Sequence, residues 1–222
     1  MIVGILGFIG SGKGTVGEIL AEQGFIPLSF GSAVKDVTAT MFGWERSLLE
    51  GDTEFSRQWR EQPDSYWSQE FGFEFTPRKA LQLMGTQVGR DIFHPDLWVI
   101  KTKRDMHVLM SQGMENFVIT DVRFPNEIDM IHSEGGILTE VQRGIQPHWM
   151  SVAARANRGD TKAEQFMRNE SVHESEWKWI GHDVDYTIDN NGTKEDLKKK
   201  VVTCLKRSFG SSIINESIEG VL

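Results

Sequence analysis

The sequence predicts an α/β fold of three layers, a parallel sheet between helices, interrupted by a mainly helical insertion. Three observations lead there. Residues 2–6 (IVGIL) are an unbroken apolar run, as a strand buried on both faces requires. A glycine-rich turn follows and opens a helical pattern, and strand, glycine turn, helix, strand is how a parallel sheet begins. Short apolar runs return at 116–120, 137–142 and 186–189, whereas the stretch between them and the opening carries no period-two pattern.

Taken in order, the helix after the glycine turn spans about 14–23, with Val16, Ile19 and Leu20 on one face and Gly24 as its stop. Residues 25–30 form a second short strand. From 31 to 110 the character is helical. Ser32 can cap a helix over 33–42, where Val34, Val37, Thr38 and Met41 recur at helical spacing. A charged stretch with Trp44, Trp59 and Trp67 comes next. Thr76-Pro77 then starts a pattern through Ala80, Leu81, Leu83, Met84 and Val88. The strand at 116–120 (NFVIT) ends at Asp121, and Gly135-Gly136 precedes the strand at 137–142. Residues 143–174 are polar, with little apolar period, and read as a mobile loop or lid. Tyr186–Asp189 is a last short strand, Asn190-Asn191-Gly192 a turn, and Thr193 the cap of a helix from Glu195 to about Phe209. The tail after Gly210 is expected to fray.

Composition narrows the function. Thirty-two acidic against twenty-four basic residues in 222 leave a net charge of −8, which argues against a broad basic surface and so against a nucleic-acid partner. Arginine clusters that hold one small anion remain compatible with that charge. Cys204 is the lone cysteine, so an internal disulfide and any multi-cysteine metal site are excluded. The six histidines, His94, His107, His132, His148, His173 and His182, lack zinc-ligand spacing. The apolar opening has no basic leader and no cleavage site, and no apolar run reaches about eighteen residues, so a cytoplasmic protein without a membrane partner is expected. A homodimer is compatible with the sequence.

Residues 7–15 (GFIGSGKGT) fit G-x-x-x-x-G-K between a strand and a helix, the context of a phosphate-binding loop. Such a glycine loop turns backbone N–H groups toward a polyphosphate at the helix N-terminus, and Lys13 neutralises charge on the β- and γ-phosphates. Gly10, Ser11, Gly12, Lys13, Gly14 and Thr15 are therefore candidates for binding ATP, within a three-layer P-loop NTPase fold. The strict pattern places Ser or Thr directly after the lysine. Here Gly14 intervenes, a spacing that resembles small nucleotide kinases of the adenylate-kinase type, and Thr15 is the first choice for a hydroxyl on Mg²⁺. Asp121 stands at the C-terminal end of a buried strand, where open parallel sheets bind ligands, and Arg123 lies two residues on. Alternatively, Asp121 caps the turn and Arg123 pairs with Glu127. The phosphate loop favours function.

Four segments carry a family likeness: the loop GFIGSGKGT, residues 81–90 (LQLMGTQVGR), 120–127 (TDVRFPNE) and 172–176 (VHESE). Together they resemble the deoxynucleoside monophosphate kinases of tailed bacteriophages, from residue 2 to about 205. The phosphate loop is common to many families; the LQ-x-x-GT and DVR-x-x-NE segments are more specific. The likeness implies phosphoryl transfer from ATP to a deoxynucleoside monophosphate, with Mg²⁺, in DNA precursor synthesis, located in the host cytoplasm if phage-encoded. It implies a kinase core of 1–30 and 111–222 with a lid at about 143–172, and an NMP-binding insertion at 31–110. It selects Lys35, Arg78, Thr86, Trp98, Asp121, Arg123 and Glu127 as contacts to the monophosphate, with Arg90 a further candidate. Trp98 is either a platform for the base or a buried core residue. Lys13, Asp121, Arg123 and Arg143 are the implied catalytic set, with Arg143 at the lid entry supplying charge to the transferring phosphoryl group. His173 and Glu174 close the lid, His173 as a surface hydrogen-bonding residue. Two rivals stand beside this reading. A dephospho-coenzyme A kinase shares loop, sheet and C-terminal turn but not the tryptophan-rich insertion or DVRFPNE. A non-catalytic nucleotide switch needs no second basic pocket, and Lys35 to Arg90 supplies one.

Overall fold

The computed structural model describes residues 1–170 and 172–210. In chain order the elements are β1 (Ile2–Leu6), α1 (Lys13–Glu22), β2 (Ile26–Leu28), α2 (Ser32–Phe42), a 3₁₀ turn (Arg46–Leu49), α3 (Glu54–Glu61), α4 (Ser65–Phe71) and α5 (Pro77–Gln82). A π-helical run (Leu83–Phe93), α6 (Leu97–Ser111), β3 (Phe117–Ile119), α7 (Pro125–Ser133), β4 (Ile137–Gln142), α8 (Met150–Asn157) and α9 (Thr161–Asn169) follow. A second 3₁₀ turn (Glu174–Glu176), β5 (Tyr186–Asp189) and α10 (Lys194–Phe209) complete the order. The chain divides into two compact units, Met1–Leu28 with Met106–Leu222, and Ser29–Asp105.

In the first unit all strand pairings are parallel, in the order β2-β3-β1-β4-β5. The central β1 is buried at every position, which is why its sequence does not alternate. Its Val3 and Ile5 meet Val16, Ile19 and Leu20 of α1 and Leu197, Val201 and Leu205 of α10 on one face. On the other face Gly4 lets α7 approach: a Cβ there would lie 2.3 Å from Ile131 and 2.9 Å from Leu138. Each fully buried aliphatic side chain contributes roughly 1.5–3 kcal/mol, so this two-sided sheet is the main source of the unit's stability. Thr193 and Asp196 form a capping box that starts α10.

The stretch 143–174, expected as a mobile loop or lid with little apolar period, contains two helices. Asp160 caps α9 through the N–H groups of Lys162 and Ala163, and Ala153, Ala156, Ala163 and Met167 are buried where α8 and α9 pack together. Alanines make so narrow an apolar face that the pattern escapes a periodicity search. The tail after Gly210 lies outside the described residues. No helix among the described residues is long and apolar enough to cross a membrane.

The second unit is helical throughout, as its sequence predicts. Trp44, Trp59 and Trp67 form a half-buried aromatic cluster with Phe42 around the buried Phe75; Trp44 stacks on Phe42 at 4.7 Å and donates its indole N–H to Asp64 at 2.8 Å. Helix α2 begins at Ser32 with Gly31, not Ser32, as its cap. Val34, Thr38 and Ala39 are its buried side; Val37 and Met41, expected on the same face, are exposed. Thr76 caps α5 with Pro77 in the first turn, and the π-helical run continues directly from it.

Candidate active site

Between β1 and α1 the backbone makes the turn that only glycine adopts readily, with φ of +140° at Gly7, +79° at Gly10 and +103° at Gly12. A Cβ at Gly7 would sit 2.4 Å from the Val141 carbonyl oxygen, and one at Gly12 2.2 Å from Asn190 Nδ2. The loop is therefore closed from beneath by β4 and from the side by Asn190. Asn190 donates to the Ser11 carbonyl at 2.8 Å, and Asn191 accepts from Gly144 N–H at 2.8 Å. Ser11 is buried, and its Oγ finds no hydrogen-bond partner among the described residues. Gly14 and Thr15 lie in the first turn of α1, Thr15 half-buried.

Lys13 folds across the loop, donating to the carbonyls of Gly7 and Phe8 at 2.7 and 2.8 Å. Burial pulls its ammonium down to about 8. The nearby Arg123 adds to that fall, while the carboxylates of Glu176 and Asp121 oppose it. Phosphate loop, Asp121 and Arg123 thus share one electrostatic site, because β1 and β3 are neighbours in register and end side by side. Gly17 allows α1 to close on Thr120, whose methyl would lie 2.6 Å from a Cβ there.

Arg123 Nη1 donates to Glu176 Oε1 at 2.5 Å and to Ser175 Oγ at 3.3 Å. Glu127, expected as a substrate contact or as the partner of the Arg123 side chain, does not meet that side chain. It is 2% exposed, and one carboxylate oxygen accepts the backbone N–H groups of Arg123 and Phe124 at 2.7 and 3.0 Å. Glu127 occupies the third position of α7, and the chain there turns its unpaired amides onto that carboxylate. Arg143 is exposed just past β4, without an ion pair among the described residues. His173 is exposed and hydrogen-bonds Ser175.

Within the second unit, Lys35 pairs with Glu50 at 2.5 Å and Arg78 with Glu61 at 2.7 Å. Thr86 and Arg90 lie on the π-helical run, where Arg90 reaches the Pro95 carbonyl at 3.5 Å. Trp98 is a core residue: it is 6% exposed, packs with Val34 and Met84, and donates its indole N–H to the Gly85 carbonyl at 2.8 Å. A Cβ at Gly89 would lie 2.4 Å from its ring, so that glycine is where the tryptophan fits. The ring therefore presents no face for a base to stack on. No cluster of three or more His, Cys, Asp or Glu that could hold a metal occurs among the described residues. A Mg²⁺ carried in by phosphates needs only one or two protein oxygens, and the Thr15 hydroxyl and Asp121 carboxylate beside Lys13 suit that demand.

The sequence is 29% identical to a protein of Acanthamoeba polyphaga mimivirus named "Putative deoxynucleotide monophosphate kinase", over 92% of this chain and 96% of that one. The chain is a relative of viral deoxynucleotide monophosphate kinases. A 56-residue stretch is 41% identical to the deoxynucleoside-5'-monophosphate kinase of Escherichia phage T5, covering 25% of this chain and 21% of that one. No family model matches. Among solved structures, similar ones include a dephospho-CoA kinase from Campylobacter jejuni, 16% identical with a TM-score of 0.45 over 93% of this chain and 96% of the other. A shikimate kinase from Aquifex aeolicus is 14% identical with a TM-score of 0.42, over 95% and 100%. Sequence reasoning missed Glu176, which lies within the VHESE likeness without a role of its own; the turn at 185–192 that carries Asn190 resembles the adenine-bordering loop of several small P-loop kinases and is equally explained as a plain turn.

Proposed function

We propose that the protein transfers the γ-phosphoryl group of ATP to a deoxynucleoside monophosphate, releasing ADP and the deoxynucleoside diphosphate. The observation that carries this is a half-buried lysine folded onto the carbonyls of a glycine loop, with an arginine and an aspartate from the neighbouring strand end acting on it. Phosphoryl transfer asks a protein mainly for positioned positive charge. In this reading residues 10–15 cradle the ATP phosphates, and Lys13 moves from the loop carbonyls to the β- and γ-phosphates. Arg123 neutralises charge between the two substrates, and Arg143, exposed at the end of β4, adds charge from the lid segment at about 143–172. Lys35, Arg78, Thr86 and Arg90 hold the monophosphate, with Glu50 and Glu61 as the partners Lys35 and Arg78 exchange for it. Thr15 and Asp121 would hold Mg²⁺, which supplies charge neutralisation and a fixed phosphate geometry.

A coupled ADP-release assay with ATP against deoxynucleoside monophosphates, ribonucleoside monophosphates and dephospho-coenzyme A tests the reading. Deoxynucleotides should be accepted, with ribonucleotides slower by roughly 10- to 200-fold, since a pocket that merely crowds out a hydroxyl discriminates by only about 1–3 kcal/mol. Turnover of dephospho-coenzyme A alone, or ADP release independent of any acceptor, would overturn it.

A further inference from the structure

The turn that carries Glu176 is held from several directions. His173 accepts the Ser175 N–H at its start, and Trp177, Trp179 and Ile180 directly after it are all buried. Asn157 of α8 donates to the carbonyls of both Trp177 and Ile180 at 2.8 Å, and the Trp177 indole reaches the Val172 carbonyl at 3.3 Å. Trp179 meets the ring of Phe8 at 5.0 Å, and Trp149 meets the same ring at 5.6 Å. Phe8 in turn supplies one of the two carbonyls that hold Lys13. Glu176 is thus fixed relative to the phosphate loop itself.

We infer that Glu176 is a positioning residue, whose carboxylate, fixed by this tryptophan turn, aims the Arg123 guanidinium at the phosphate loop. The inference deepens the kinase reading and rests on it. The grip is one-sided: Glu176 and Ser175 both take Nη1, and no hydrogen bond uses Nε or Nη2 among the described residues. A carboxylate that blocked the site would take the fork of the guanidinium. One that holds a single nitrogen leaves the remaining donors for phosphate oxygens. An arginine side chain samples many rotamers in water, and fixing it before substrate arrives keeps its charge where the transition state needs it.

The test is steady-state kinetics and thermal melting of wild type, Glu176→Ala, Glu176→Gln, Glu176→Asp, Arg123→Ala and the double variant with Ala at both positions. Glu176→Ala should lower kcat by about 30- to 100-fold while changing the KM for ATP by less than about threefold. Glu176→Gln retains an acceptor at the same reach and should stay within about fivefold of wild type. In the Arg123→Ala background, losing Glu176 should cost less than about twofold more. Unchanged kcat in Glu176→Ala, multiplicative losses in the double variant, or a lowered melting temperature with full specific activity would each overturn the role. Should Glu176→Ala not fold, Asp and Gln decide: Asp, one methylene short, should lose about tenfold or more where Gln does not, and the reverse order overturns the inference. If wild type itself transfers nothing to any deoxynucleotide, the functional reading fails first, a result distinct from wild-type turnover that ignores position 176.

Discussion

Raising the pH from about 7 to about 9 should remove most of the free protein's capacity to capture ATP, through the proton on Lys13. That ammonium has its pKa pulled down to about 8, burial being the larger cause and Arg123 the smaller. A group of pKa about 8 is about 90% protonated at pH 7 and about 10% at pH 9, so kcat/KM for ATP should fall about tenfold across that interval. An ordinary lysine would lose only about 3% of its charge. Since kcat/KM reports the free enzyme, the alkaline limb should lie near 8 in kcat/KM and higher in kcat, because bound phosphates hold the proton on Lys13. The assay is initial ADP release at limiting ATP and saturating deoxynucleotide, with Lys13→Arg as control. Arginine keeps its proton, so the variant is slower throughout but flat to about pH 9. Glu176→Gln should move the limb toward neutrality, since the carboxylate it removes supports the lysine's charge. The same burial costs the charged form on the order of 3 kcal/mol. Between about pH 8 and 10.5 the unfolded chain holds this proton and the folded one does not, so this group favours the fold increasingly as pH rises through that window. A kcat/KM profile flat to pH 9 in wild type, or an equal limb in Lys13→Arg, would refute the assignment.

Three further outcomes follow from the geometry. Glu127→Ala should destabilise the fold by about 2–4 kcal/mol in urea, since two amides lose their acceptor, with the deoxynucleotide KM nearly unchanged in the folded fraction. A raised KM at unchanged stability would return Glu127 to the substrate. Trp98→Ala should cost about 3–5 kcal/mol by opening a cavity, read as a lower melting temperature; a weaker KM without that loss would restore base stacking. Gly12→Ala forces a side chain into a left-handed position and against Asn190, so equilibrium ATP binding should weaken by at least about tenfold.

The strands were the legible part of the fold. β1 and β3 fall where short apolar runs predict them, because a strand buried on both faces writes its burial directly into the chain. The phosphate loop was legible for a related reason, since positive φ at Gly7, Gly10 and Gly12 leaves few alternatives to glycine. The α8–α9 pair was not legible, because alanine faces and one methionine bury a helix without a conspicuous period. Nor was the fate of Trp98, whose burial depends on Gly89 and on α2 packing against the π-helical run.

By itself, then, the sequence determined the parallel sheet, the glycine loop that ends its first strand, and the presence of Lys13, Asp121 and Arg123 as chemistry-bearing side chains. These depend on local backbone geometry and on residue type, and both are written in consecutive positions. Only the tertiary structure decided which charges meet. Arg123 faces Glu176, fifty-three residues away along the chain, instead of Glu127 four residues away. The helix start at α7 had already taken the Glu127 carboxylate for its amides, and a buried tryptophan turn delivered the other one. An ion pair is chosen by which groups the packing brings together and which are already satisfied, and neither is a property of sequence spacing.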